Sequence, residues 1–515
     1  MINRLVALGL AGMASVFCGP ALADRPLISA SPIELQVYFP GWLGRPYDSN
    51  SPVEKQVAER TGISLHSIET EVDVAFREEV ARIIRSGQLP DIIGGTELRG
   101  LFNKYGPQGA FVKLDELIPE HAPNLHRFFQ DNPDLYRAAM SYDHHLYFIP
   151  FFPEGDLTKG YFIRQDWLDK LGLEIPQTAE EFYEVLHAFK TRDPNGNGKA
   201  DEIPFFARDL IALLQIAPLW DARSSGSSEA LDFYVQGNAL VHGLVQPEFK
   251  DVIRNLAKWY REGLIDPAVL DEDMQSRTYA LKNNLAGAMH DWFVSTSSFN
   301  DSLQDEIPGF RLIPIAPPAS ASGQRREEGR RRKIQPSGWA ISYQNPYPIE
   351  TLKYFDFWFG EEGRRLDSFG LEGVHYDLID GKPVFKPEVL AADKPVIEQL
   401  RDAGAAMPRG VRQDFNYEWQ SANEIAQAGM RLYRTGDYLF EAVYPSALNQ
   451  EEQVAIDLYL APVKAHIIKR VTGWIRGEGD VDAEWESYLR ELNDIGFTDV
   501  LNAMNSARWR ELYQK

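Results

Sequence analysis

The chain has 515 residues, 44% of them hydrophobic and 12% aromatic, with 53 Lys and Arg against 75 Asp and Glu for a formal net charge of −22. That balance excludes nucleic acid as a partner, because phosphate contacts need clustered cations, although a buried site can carry a charge opposite to the global one. The single cysteine, Cys18, excludes disulfide reinforcement, so stability must come from cores large enough for two or three domains.

At the N-terminus Arg4 precedes the apolar run Leu5–Phe17, and Ala21-Leu22-Ala23 offers a small-residue cleavage site. This pattern predicts a signal peptide over 1–23 and an exported protein. The run is shorter than the ~20 residues of a membrane span, and no later stretch is longer. Lipid anchoring through Cys18 is the alternative to cleavage near Ala23.

Ile33–Phe39 reads as a first strand, and Ser51-Pro52-Val53-Glu54 opens a helix with a capping residue and an N-terminal proline. Leu89–Gly95 reads as a buried strand ending in a glycine turn, a position that carries ligand contacts in open α/β sheets. Leu146–Pro150 and Gly160–Arg164 are extended apolar segments around a turn at Gly155. A helix begins at Thr178 with a second capping signal to Glu181, and its apolar face is Phe182, Val185, Leu186 and Phe189. Farther on, strands are expected over Leu285–Met289, Phe310–Ile315 and Ser337–Ser342. Between the last two lie a Pro/Ala/Ser/Gly stretch and the basic run Arg325–Lys333, read as a solvated loop. The remainder is mostly helical, and the alternation of strands with helices predicts an α/β protein.

The segment after the Thr178 helix is the most distinctive. Asp193, Asn195 and Asn197 set side-chain oxygens at alternate positions around glycines, followed by Asp201 and Glu202. Hard Ca²⁺ takes six to eight oxygens, and this rhythm matches the first half of an EF-hand loop. The second half departs from it, since the position of the closing glutamate is Pro204. A polar Asn/Gly surface turn is the competing reading.

No catalytic constellation stands out. The sequence has no G-x-S-x-G elbow, no H-E-x-x-H and no P-loop, and His144-His145 has no evident third ligand.

Taken in order, SGQLPDIIGG (86–95), YGPQGAFVKL (105–114), LYFIPFFPEG (146–155), GYFIRQDWLDKLGL (160–173), DPNGNGKADEIPF (193–205), WDARSSGS (220–227), WYREGLID (259–266), HDWFVSTSSFN (290–300), GFRLIPIAPP (309–318), FGLEGVHYD (369–377) and QDFNYEW (413–419) resemble extracellular solute-binding proteins of family 1, the receptors of ABC importers. The likeness is greatest to the large periplasmic alginate-binding proteins. It implies a two-lobe periplasmic-binding-protein fold with a hinge, an oligosaccharide in the interlobe cleft, a membrane permease as partner, and a monomer in the periplasm. The expected N-terminal lobe is 24–150 plus 334–372, the C-terminal lobe 151–316 plus 373–515, with 317–333 as a Pro-rich and basic hinge-side loop.

The resemblance also implies a structural Ca²⁺ held by Asp193, Asn195, Asn197, the Lys199 carbonyl, Asp201 and Glu202, which accounts for the missing EF-hand glutamate. It makes Trp292 a sugar-stacking residue. A second family Trp falls on Ser421, with Trp419 two residues earlier, and a further family aromatic falls on Arg412, a cation suited to a uronate carboxylate. Strand ends and loops add Trp42, Arg45, Tyr47, Asp291, Asp414, Tyr417 and Tyr376 as cleft candidates. The expected function is capture of an oligosaccharide, acidic in character (alginate or another uronate-containing chain), without chemical change. A secreted polysaccharide lyase or glycoside hydrolase and a sugar sensor for a signalling partner are the competing readings.

Overall fold

A computed structural model of the chain describes residues 27–29, 31–40, 45, 47–68, 76–227, 232–271, 277–441, 443–444 and 446–513. The expected signal peptide and Trp42 lie outside them.

Two sheets organise the molecule. In the first, the strands run in the order Ile63–Ser67, Ile33–Tyr38, Ile92–Gly95, Gly338–Ile341, Ile149–Pro150. The first three pair in parallel, and Gly338–Ile341 returns antiparallel between its two neighbours. Successive side chains of a strand point to opposite faces, and both faces here are covered. Val37 and Ile92 face one core with Val53, Trp339 and Trp358, while Tyr38 and Ile93 face a second with Phe102 and Phe148. The Trp339 and Phe355 rings stack at 4.5 Å and 8°, locking a helix on to the returning strand.

In the second sheet the order is Leu312–Ile315, Lys159–Arg164, Ala286–Trp292, Ile203–Phe206. Tyr161, Ile163 and Phe205 pack on one side, and Phe162, Met289 and Phe206 on the other. The expected helix caps are present: Ser51 Oγ accepts from Glu54 N at 3.3 Å and Thr178 Oγ1 from Glu181 N at 3.1 Å. Helix Ala179–Thr191 buries Phe182, Val185, Leu186 and Phe189. Among the described residues, no helix is long and apolar enough to cross a membrane.

The chain passes between the lobes after Pro150, again between Ile315 and Gly338, and a third time near Arg412. The expected lobe boundary at 372/373 falls within a stretch that stays on the first core. Gly370, in the left-handed region at φ 76°, ends a helix without ending the lobe. The hairpin that follows, Tyr376–Ile379 with Lys382–Phe385, packs Tyr376 and Phe385 on Phe369 at 5.9 and 5.0 Å. Val396, Leu400, Met407 and Val411 continue in the first core, while Phe415 and Trp419 pack on the second lobe and Ala422, Ala426, Met430 and Tyr433 are buried in it.

The basic run is likewise not a solvated loop. Glu327, Glu328 and Arg331 are buried. Glu327 accepts from Gly329 N at 2.6 Å and lies 2.8 Å from His290 Nε2, while Glu328 accepts from the backbone and hydroxyl of Ser224. Polar anchors of this kind hold the crossing as a strap against the second lobe, since leaving them would forfeit the hydrogen bonds that compensate their burial.

Candidate functional site

Trp292 ends the strand Ala286–Trp292 and is half-buried. Antiparallel register places Lys159 directly opposite it, so the Lys159 ammonium stands 5.9 Å from the indole centroid. Lys159 also donates to Gln215 Oε1 at 2.9 Å, and Gln215 Nε2 is a buried donor without an acceptor. Burial pulls the Lys159 ammonium below its usual pKa, with Arg208 acting the same way and Asp291 and Asp209 opposing.

Asp291, 1% exposed, precedes Trp292 on the same strand. Arg208 Nε donates to its Oδ1 at 2.8 Å and Arg277 Nη1 to its Oδ2 at 3.0 Å. Burial would raise this carboxyl, but Arg277 and Arg208 together hold it below the usual carboxylate range. Asp291 therefore orients cations instead of presenting oxygens to a ligand, which corrects its expected role. The Arg208 side chain is 40% exposed, so one end is fixed and the other meets solvent. Lys159 thus sets a cation against the Trp292 ring, and Arg208 and Arg277 add two guanidiniums at the preceding residue, Asp291.

A second group lies where the chain crosses near 152–154 and 412–414. Arg412, 41% exposed, pairs with Glu154 and sits 5.6 Å from the Phe128 ring. Arg364 bridges Glu154 at 2.8 Å and Asp414 at 3.1 Å. Asp414 is thereby a buried acceptor within the protein, and Arg412 shares its charge with Glu154. Tyr417 packs against the first core, where burial raises its hydroxyl pKa. Trp419 packs on the second lobe under Arg431 and Arg434, at 5.4 and 5.6 Å.

Three expected ligand residues belong elsewhere. Arg45 pairs with Glu398 and Asp402 on the first lobe. Tyr47 is buried against Phe39 at 5.5 Å, and Tyr376 is buried under its hairpin. Both are core aromatics, selected in the sequence because they flank polar loops. Conversely, sequence reasoning missed Lys159, Arg208, Arg277 and Gln215. Arg208 follows the strand Ile203–Phe206, so the strand-end rule was a usable signal for it, whereas Lys159 becomes visible only through register.

The oxygen-rich loop leaves the C-terminus of helix Ala179–Thr191. Asp193 is left-handed at φ 47° and its carboxylate accepts from the backbone of Gly196, Asn197 and Gly198 at 2.9–3.1 Å. Asp201 accepts from the amides of Asn195 and Asn197 at 3.3 and 3.0 Å, and these hydrogen bonds lower its pKa. Glu202 is 2% exposed, both its oxygens lack a hydrogen-bond partner, and burial raises its pKa. Among the described residues, no group of three or more His, Cys, Asp or Glu side chains is arranged to hold a metal. A cation here would combine amide and carbonyl oxygens with the loop carboxylates, and the orphaned Glu202 carboxylate is the group that calls for one.

A model of bacterial extracellular solute-binding proteins matches residues 59–365. The alginate-binding protein AlgQ2, crystallised without calcium ion, superposes with a TM-score of 0.85 at 39% identity, over 94% of this chain and 99% of that one. The fructooligosaccharide ABC transporter substrate-binding protein FusA of Streptococcus pneumoniae is 26% identical over 495 residues, covering 88% of this chain and 87% of its own length. The polygalacturonan/rhamnogalacturonan-binding protein YtcQ of Bacillus subtilis is 24% identical over 379 residues, 68% of this chain and 69% of its own.

Proposed function

The chain belongs to the bacterial extracellular solute-binding protein family and has its two-lobed fold, and on that premise we propose that it captures an acidic oligosaccharide, alginate or another uronate-containing chain, between its lobes for import by an ABC transporter permease. The observation that carries the acidic character is the half-buried Trp292 with the Lys159 ammonium 5.9 Å from its ring and, on the adjacent Asp291, the guanidiniums of Arg208 and Arg277. A pyranose ring would lay its C–H face on the indole, and a carboxylate on that ring would meet Lys159 or the exposed end of Arg208, whose other end Asp291 fixes. Arg412, at the crossing between lobes, supplies a second cation toward which closure brings the ligand. The alginate-binding and polygalacturonan-binding relatives support an acidic ligand, while FusA marks the neutral alternative.

The receptor is read as an exported, periplasmic monomer that releases its sugar unchanged; its relatives are described as binding proteins. A structural Ca²⁺ belongs to the same reading. Asp193, Asn195, Asn197, the Lys199 carbonyl, Asp201 and Glu202 would hold it, and the ion would neutralise the buried Glu202 carboxylate and tie the loop to strand Ile203–Phe206.

The test is calorimetry of the mature protein with alginate trimers, oligogalacturonate and a neutral fructooligosaccharide. Saturable binding of an acidic oligomer with no heat from the neutral one supports the reading. Preference for the neutral sugar, or sustained chain cleavage, overturns it.

A further inference from the structure

The two Asn-Gly steps of the sequence, Asn195-Gly196 and Asn197-Gly198, both lie in the oxygen-rich loop. Glycine leaves its own nitrogen unshielded, which makes this step the most open to spontaneous deamidation. The Gly nitrogen attacks the Asn Cγ, a C–N bond forms and ammonia leaves with the displaced side-chain nitrogen. Water then opens the succinimide to Asp or to isoaspartate, and no other co-reactant is needed.

Both reacting partners are restrained here. Gly196 N donates to Asp193 Oδ1 at 2.9 Å and Gly198 N to Asp193 Oδ2 at 3.0 Å, so one carboxylate holds both nucleophiles. The electrophilic amides are pinned as well. Asn195 Oδ1 accepts from Asn197 N at 3.0 Å and Asn197 Oδ1 from Lys199 N at 2.7 Å, while both Nδ2 atoms donate to Asp201. Gly196, Asn197 and Gly198 are exposed, so water has access once the loop opens.

We propose that Asn195-Gly196 and Asn197-Gly198 form a paired deamidation site held latent by the Asp193 carboxylate, so that opening the loop leads to an irreversible, charge-adding modification. Each conversion puts a new carboxylate beside Asp193 and Asp201 and removes an amide donor to Asp201; the isoaspartate product also inserts a backbone methylene. The restraint is built from the chain's own hydrogen bonds and does not rest on a bound ion.

The experiment incubates the mature protein at mildly alkaline pH, in EGTA and in excess CaCl₂, beside a synthetic peptide spanning 190–204. Mass spectrometry of the tryptic peptide 193–199 reads deamidation and isoaspartate. Freeing a nitrogen from a charge-assisted hydrogen bond should slow the native loop by about tenfold to a hundredfold relative to the peptide, with or without calcium. Asp193→Ala, checked for a native circular-dichroism spectrum, should react at a rate close to the peptide's. A native loop as fast as the peptide, protection that appears only with calcium, or an Asp193→Ala protein as protected as the parent would each overturn the proposal. The native-to-peptide comparison decides even if the variant fails to fold.

Discussion

Replacing Arg208 with methionine separates recognition of charge from recognition of ring. Nε of Arg208 is committed to Asp291 at 2.8 Å and Nη2 lies 3.5 Å from Ser295 Oγ, which leaves Nη1 as the donor open to a ligand carboxylate. A hydrogen bond between charged groups contributes about 1.5–3 kcal/mol, and a unit-charge pair at 4 Å about 1–4 kcal/mol between bulk-water and near-surface dielectric values. The side chain is 40% exposed, which favours the lower half of that range. Affinity for a uronate trimer should therefore fall by about tenfold to a hundredfold, since each 1.4 kcal/mol is a factor of ten. Methionine keeps the aliphatic stem, and Asp291 keeps Arg277 at 3.0 Å, so the fold should survive. Calorimetry on parent and variant, with the trimer and its methyl-esterified form, provides the readout. The parent should prefer the free acid and the variant should not. Equal loss for acid and ester, or no loss at all, refutes the placement of the carboxylate at Arg208.

Chelation with EGTA should lower the melting temperature while leaving sugar affinity nearly intact, and Glu202→Gln should abolish that sensitivity; differential scanning calorimetry checks both. Arg409→Met should destabilise the protein by about 3–5 kcal/mol in urea titration, because it removes the buried counter-charge of Glu54, now 2.6 Å from the guanidinium, and of Asp367 at 3.7 Å. Burial raises Glu328 to about 8, against an ordinary value of 4.5. The folded chain thus holds a proton that the unfolded chain releases, so stability should fall as pH rises through that window; Glu328→Gln should flatten the decline in a series of thermal melts. The Lys159 ammonium, lowered by burial, loses its charge as pH rises, so acidic-sugar affinity should fall on the alkaline side, faster than for Lys159→Arg.

Local signals survived folding and long-range ones did not. The caps at Ser51 and Thr178 and the face Phe182–Val185–Leu186–Phe189 were legible because each is decided within a few residues. The pairing of Lys159 with Trp292 was not, since it joins positions 133 apart through a strand register that no local pattern encodes. Tyr47 and Tyr376 misled for a related reason. An aromatic beside a loop looks the same in sequence whether it lines a cleft or closes a core, and here Phe39 and Phe369 close over them. The boundary at 372/373 came from the family resemblance and not from a local signal, and the hairpin that follows it folds back on the same core.

The basic run shows why charge counting along the chain points to the wrong cations. Arg330 donates to the Phe440 carbonyl, Arg331 pairs with Glu418 at 2.5 Å, Arg332 with Asp232 at 2.7 Å and Lys333 with Asp156 at 2.6 Å. Four consecutive cations are thus engaged by the protein itself, fastening the strap between the sheets. The cations around Trp292 are scattered at 159, 208 and 277, and the two arginines converge on Asp291, one carboxylate for two guanidiniums. The cations open to a ligand are therefore sought beside Trp292 and Asp291 and not along the strap, within a chain whose net charge is −22. For an acidic sugar that distribution opposes approach over most of the surface and favours it at one place, so low salt should widen the gap in on-rate between the parent and Arg208→Met while leaving the neutral-sugar rates together.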